Sequence, residues 1–187
     1  AASWKALPWL QVGGNMTLST NKIKAYTAYY EMYDNMNDWN YLGQHSVDFE
    51  NTDILMSPSL VGMAGMTFRP FVSSAKSLNS AYLSVNGKYV GKQYYDNTSS
   101  DERSIPSYFV GDLSIGYDIP LRKSHGFVQD NGSLSFSLHV NNLFNKMYYA
   151  DAWLWRAYFR QEDEYYSEIG IYPQAPASFM LKVAYRF

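Results

Sequence analysis

Two short stretches concentrate the side chains best suited to hold a ligand. "DAWLWRAYFR" (151–160) supplies Trp153, Trp155, Arg156, Tyr158, Phe159 and Arg160, and "DNMNDWNYLG" (34–43) adds Trp39 and Tyr41. Aromatic planes beside arginine suit a flat, often anionic ligand, because a guanidinium stacks on rings and pairs planar oxygens with its fork of donors. The same rings could instead pack loops together or sit at an oil–water boundary. A third stretch, "QEDEYYSE", carries Glu162, Asp163, Glu164 and Glu168. Its oxygens could attract a hard cation, but it lacks the spaced Asp/Asn and Gly of a calcium loop, so a solvated acidic loop is expected and no metal site is assigned. His45, His125 and His139 are scattered, and no nucleophile–base–acid set can be assembled around them. Neither a Walker nor a dinucleotide pattern is present. The chain is expected not to be an enzyme and to need no cofactor.

The elements that must position these residues are strands. Period-two alternation outweighs helical spacing almost everywhere. In 10–18, Leu10, Val12, Gly14, Met16 and Leu18 oppose Gln11, Gly13, Asn15, Thr17 and Ser19. In "SLSFSLHVN", Leu134, Phe136, Leu138 and Val140 oppose three serines, His139 and Asn141. At the end, Phe179, Leu181, Val183, Tyr185 and Phe187 oppose Met180, Lys182, Ala184 and Arg186. Six such segments are expected, at about 9–34, 54–71, 78–96, 107–120, 132–150 and 177–187. Their second face is mostly Ser, Asn, Thr, Gly and Asp rather than the Lys and Glu of a soluble sheet facing bulk water. That is the pattern of an outer-membrane barrel, apolar outward and polar inward.

Composition agrees with an interfacial protein. The chain is 18% aromatic, with 18 Tyr, 10 Phe and 5 Trp, but its mean hydropathy is only -0.34. Tyr29, Tyr30, Tyr33, Tyr94, Tyr95, Tyr148 and Tyr149 near one set of segment ends, and Trp9, Phe68, Tyr117 and Phe187 near the other, are expected to form two aromatic girdles. A net charge of -2 argues against nucleic acid, and with no cysteine, disulfides and thiolate metal sites are excluded. The breaks alternate between short and long, and the longest are 35–53 and 150–177. If Phe187 is periplasmic, the long breaks lie outside the cell. Six strands cannot close a barrel, which needs about eight. The segments also exceed the roughly 9–11 residues that cross a bilayer, so their excess should stand above it. The expectation is the end of a longer protein.

"VNNLFNKMYY" (140–149), followed by "YPQAPASFMLKVAYRF" (172–187), resembles the C-terminus of TonB-dependent outer-membrane receptors, of the siderophore or cobalamin type found in Bacteroidetes-like bacteria. "NTDILMSPSLVGMAGMTFRP" and "KYVGKQYYDNTSSDERSIPSYFVGDLSIGY" are similar to preceding strands of such receptors. The resemblance implies an all-β transmembrane antiparallel barrel. The 187 residues would be its last six strands of 22, with a plug domain upstream. It implies a multi-pass protein of the bacterial outer membrane that imports a scarce bulky nutrient such as a ferric siderophore, haem or cobalamin. Its partners would be outer-membrane lipid, the upstream plug and strands, the TonB complex acting through the upstream region, and, for some relatives, a surface lipoprotein. The strand with Phe179, Leu181, Val183, Tyr185 and Phe187 would close the barrel and be read by the assembly machinery. Trp39, Tyr41, Trp153, Trp155, Arg156, Tyr158 and Arg160 would lie in ligand-gathering extracellular loops. Other classes stay open: a passive porin-like or adhesive barrel, a glycan or peptide importer, and a soluble all-β binding module.

Overall fold

The computed structural model describes residues 1–71, 81–125 and 128–186, and is all-β among them. Its strands are β1 Ala2–Leu7, β2 Leu10–Leu18, β3 Lys22–Tyr33, β4 Tyr41–Asp53, β5 Leu60–Phe68, β6 Tyr82–Val90, β7 Gln93–Tyr94, β8 Ser104–Ile105, β9 Tyr108–His125, β10 Val128–Asn141, β11 Tyr149–Phe159, β12 Glu164–Pro173 and β13 Ser178–Arg186. Seven of them form one antiparallel sheet in the order β1-β2-β5-β6-β9-β10-β13. A second sheet, β12-β11-β3-β4, and the small β7-β8 hairpin are built from continuations of the same strands.

Each long strand is interrupted where one sheet hands over to the other. Pro58 and Pro106 lie in two of these breaks and Pro173 opens a third, since proline cannot donate to a ladder. Backbone bonds bridge the breaks: Ser19 N–H to Ser59 O at 2.9 Å, Gly91 N–H to Leu60 O at 2.8 Å, and Leu143 N–H to Gly111 O at 2.7 Å. The "NNLFNK" stretch is the most elaborate of them. Asn142 has φ 50° and Asn145 φ 49°, the left-handed region that asparagine tolerates best after glycine. The buried Asn142 amide donates to Lys146 O at 2.9 Å and Ala175 O at 3.1 Å, and its carbonyl accepts from Lys146 N–H at 2.8 Å. Asn145 Oδ1 accepts from Ala177 N–H at 2.9 Å. The two asparagines latch the β10–β11 break to the β12–β13 break.

Register decides which face each side chain takes. Across β13, β10 and β9, Tyr185–Leu134–Ile119, Val183–Phe136–Tyr117, Leu181–Leu138–Ile115 and Phe179–Val140–Leu113 line up in rows. The rows continue through Leu83, Val85 and Tyr89 of β6, Met66 and Phe68 of β5, and Leu10, Val12, Met16 and Leu18 of β2 to Trp4 of β1. Among the residues whose side chains the structure describes, this face contains no charged residue. It is also uncovered: Phe179 is 82% exposed, Leu181 68% and Met16 68%. The opposite face carries Gln11, Asn15, Thr67, Ser84, Asn86, Asp112, Ser114, Ser135, Ser137, His139 and Lys182. Thr67 and Ser84 bond across the strands at 3.1 Å. The His139 ring sits between Ser114 Oγ at 2.9 Å and Ser137 Oγ at 3.0 Å.

Several expectations are corrected. The main sheet has seven strands rather than six, because Ala2–Leu7 pairs with β2 despite a weak pattern of its own. Segment 9–34 is two strands, β2 and β3, and most of the supposed long breaks 35–53 and 150–177 is ladder: β4, β11 and β12. Both faces of those strands carry aromatics or charges, so no apolar period marked them. The sheet is open, with β1 and β13 at its edges, and does not close into a barrel of any strand count among the described residues. The expected upper girdle is not a ring at the sheet margin. Tyr148 packs on Tyr108 at 4.5 Å beside Val90 and Val110, and Tyr95 and Tyr149 pack with Ile105 and Ala152, all in the junction core. The aromatics that do end the apolar face are Tyr89, Phe109 and Phe179 above, with Phe144 on Phe109 at 6.0 Å, and Trp9, Phe68 and Tyr185 below. Phe187 lies outside the described residues.

Candidate functional site

The ligand-type residues converge on the second sheet, where β3 meets β11. These strands run parallel and pair only through Glu31–Ala157, Met32–Tyr158 and Tyr33–Phe159. β3 pairs otherwise with β4, and β11 with β12. Alternation then assigns the faces. One bears Tyr26, Tyr30, His45, Leu154, Arg156, Tyr158 and Tyr165, and the other bears Tyr29, Glu31, Tyr33, Trp153, Trp155, Phe159, Tyr166 and Glu168.

On the second of these faces the rings pack on one another. Phe159 is fully buried beneath Tyr33, stacked at 5.8 Å, and Trp39, edge-on at 4.7 Å. Trp39 also lies nearly parallel to Trp155, at 6.1 Å and 11°. A rigid turn delivers it there. Asp34 accepts from Asn35 N–H, Asn40 N–H and the Asn40 amide at 2.6–2.8 Å. Asn35 Oδ1 accepts from Asn37 and Asp38 N–H, both at 2.9 Å, and Trp39 closes the turn at φ 55° with its indole donating to Met36 O at 2.8 Å. These bonds, the Asn40 amide first, hold the Asp34 carboxyl below its ordinary acidity range.

On the other face Arg156 is clamped. Its guanidinium lies over the Tyr165 ring at 4.3 Å and the Tyr30 ring at 5.3 Å, and its Nε donates to Ser167 Oγ at 3.0 Å. Burial raises the Tyr30 hydroxyl's pKa, with Arg156 pulling against it. His45 stacks on Tyr158 at 4.0 Å. The Tyr158 hydroxyl donates to Asp163 at 2.6 Å, which raises its pKa.

Beyond the three paired residues β3 and β11 diverge, and a groove of about 340 Å³ opens between them. Tyr26, Tyr29, Tyr30 and Glu31 line one wall and Leu154, Trp155 and Arg156 the other, with Asp96 and Thr98 of the β7–β8 turn completing it. That turn is held by Arg103, which donates to Asp96 at 2.6 Å and Thr98 Oγ1 at 2.6 Å.

Of the seven ligand residues read from sequence, the groove takes two, Trp155 and Arg156. Trp39 serves the aromatic stack behind it, and Tyr41 packs on Tyr33 at 5.8 Å. Trp153 lies over Gly170, its indole filling the space a Cβ would need. Tyr158 is engaged by His45 and Asp163, and Arg160 is in the β11–β12 turn, its N–H bonded to Tyr33 O at 3.0 Å. The groove is also lined by Tyr26, Tyr29, Tyr30 and Asp96, which the sequence reading did not name as ligand residues. "AYTAYYEMY" held a signal for three of them, since its tyrosines occupy both faces of one strand. The acidic run does turn chemistry: Glu162 accepts from Met36 N–H at 3.2 Å, and Asp163 takes φ 55°. Searched against protein-family models and against curated proteins, the sequence finds no significant match.

Proposed function

We propose that this chain is the C-terminal portion of an outer-membrane β-barrel receptor of the TonB-dependent type, carrying out energy-coupled import of a bulky nutrient. The observation behind this reading is the face of the seven-stranded sheet that, among the described residues, is uncharged and uncovered. Strands β2, β5, β6 and β13 are each nine residues long, the length that crosses a hydrocarbon core at a barrel tilt. Seven strands at ~4.8 Å spacing and ~3.3 Å rise per residue make a face of roughly 1,000 Å². The largest apolar patch of an ordinary soluble monomer is about 300–600 Å². Lipid is the natural cover for such a face, and the serine-rich opposite face suits a wet lumen. The second sheet and hairpin supply the superstructure in which a large barrel gathers its ligand.

The test uses the whole protein that contains this chain, expressed in outer membranes. Cells are offered labelled ferric catecholate, haem and cobalamin, with and without a proton uncoupler. Uptake of one of them that the uncoupler abolishes supports the reading. Entry indifferent to the uncoupler points to a passive barrel, and recovery of the protein without detergent overturns the membrane assignment.

A further inference from the structure

The geometry points to a subsite for a planar anionic group in the groove between β3 and β11, with Arg156 as its anchor. The inference deepens the import reading by naming which residues meet the ligand and what part of it they hold. Arg156 is immobilised before any ligand arrives, by Tyr165 and Tyr30 against its guanidinium and Ser167 on its Nε. A guanidinium has five donors in one plane; Ser167 takes one and the Tyr30 hydroxyl bonds to the group as well, so the remaining donors are left for a ligand. Among the described residues no carboxylate forms an ion pair with the guanidinium. The groove's Asp96 is already paired with Arg103, and its other acid, Glu31, accepts from the Tyr33 hydroxyl at 3.0 Å. A rigid fork lacking a carboxylate partner, in a groove walled by rings, matches two oxygens in the plane of an aromatic ring. An aryl carboxylate or an ortho-dihydroxyaryl group has that form. Tyr26, Tyr29 and Trp155 line the groove and make its walls aromatic around such a ligand. The volume, about 340 Å³, admits one such ring system with its substituents rather than a whole macrocycle. The structure therefore separates Arg156 and Trp155 from Trp39, Trp153 and Arg160, which sequence grouped with them.

Binding is measured on the whole protein in detergent, by calorimetry and Trp fluorescence, with benzoate, 2,3-dihydroxybenzoate and the neutral benzamide as probes. The two anionic probes should bind and benzamide should bind at least tenfold more weakly. R156Q and R156K should each weaken anion binding by about tenfold or more, lysine failing because it keeps the charge and loses the fork. R160Q should leave binding unchanged, and Y30F should weaken it less than R156K does. Equal binding of benzamide, wild-type affinity in R156Q, or no binding of any probe overturns the assignment. Loss of binding in R160Q equal to that in R156Q also overturns it, since general surface charge would then explain both. These outcomes do not depend on transport. Probe binding without energy-coupled uptake would sink the import reading and leave the subsite standing.

Discussion

The seven-stranded sheet and the β12-β11-β3-β4 sheet are made from the same polypeptide strands, one stacked end to end on the other, and they obey opposite rules. In the first, among the described residues, one face is uncharged and left bare, and no large side chain is fully buried. In the second, Phe159 and Ala157 reach complete burial and Ala28 and Ala152 nearly so, under rings packed at 4.7–6.1 Å. On the proposed outer-membrane reading, the bare sheet takes lipid as its cover, and the packed one, with its own core, is the part that stands clear of the bilayer. What divides them is the level of the breaks, where asparagine, glycine and proline end one ladder and begin the next.

That contrast can be broken from either side. The largest effect is expected from F159A, which empties the centre of the aromatic stack and should destabilise the second sheet by about 3–5 kcal/mol. Hydrogen exchange should then rise in β11, β12 and β3 and stay unchanged in β9 and β10; equal loss of protection in both sheets would mean that they fold as one unit. Next, L138R places a charge in the middle of the bare face and should cost about 2–4 kcal/mol in a bilayer, while S137R on the neighbouring polar position should cost far less. Urea titration of the whole protein in vesicles separates the two, and equal tolerance would remove lipid from that face.

A smaller effect is expected from R103A. Arg103 and Asp96 are 13% and 16% exposed, so losing their pairing should cost about 1.5–3 kcal/mol, seen as faster proteolysis within 95–105 and a weakened floor to the groove. The smallest is a pH response of the Trp39 turn. The Asp34 carboxyl is held below its ordinary value of 3.8 by bonds that need it ionised, so its contribution is complete above that value. It is lost as pH falls through the lowered folded value. Trp39 emission should be flat from neutral pH down to the ordinary aspartate range and change only below it. A transition near neutral pH would show that another group controls the turn.

The sequence by itself determined the class of structure and one face of it. Leu134, Phe136, Leu138 and Val140 against Ser133, Ser135 and Ser137 could only be a strand with an oily side and a wet side, because side chains alternate with period two whatever the surroundings. The "NNLFNK" stretch stood out only as part of a resemblance, and nothing in it told that Asn142 and Asn145 are latches. The sequence could not place β11 and β12. "DAWLWRAYFR" is rich in rings on both faces, so it carries no period and reads as loop. The tertiary structure decided the rest. A three-residue parallel pairing with β3, more than a hundred positions away, sets which side of the sheet each ring takes. It thereby turns Arg156 to one face and the adjacent Trp155 to the other, where it stacks on Trp39, and both line the groove between the strands. Register between distant strands depends on the sum of contacts along both, and no single segment holds that information.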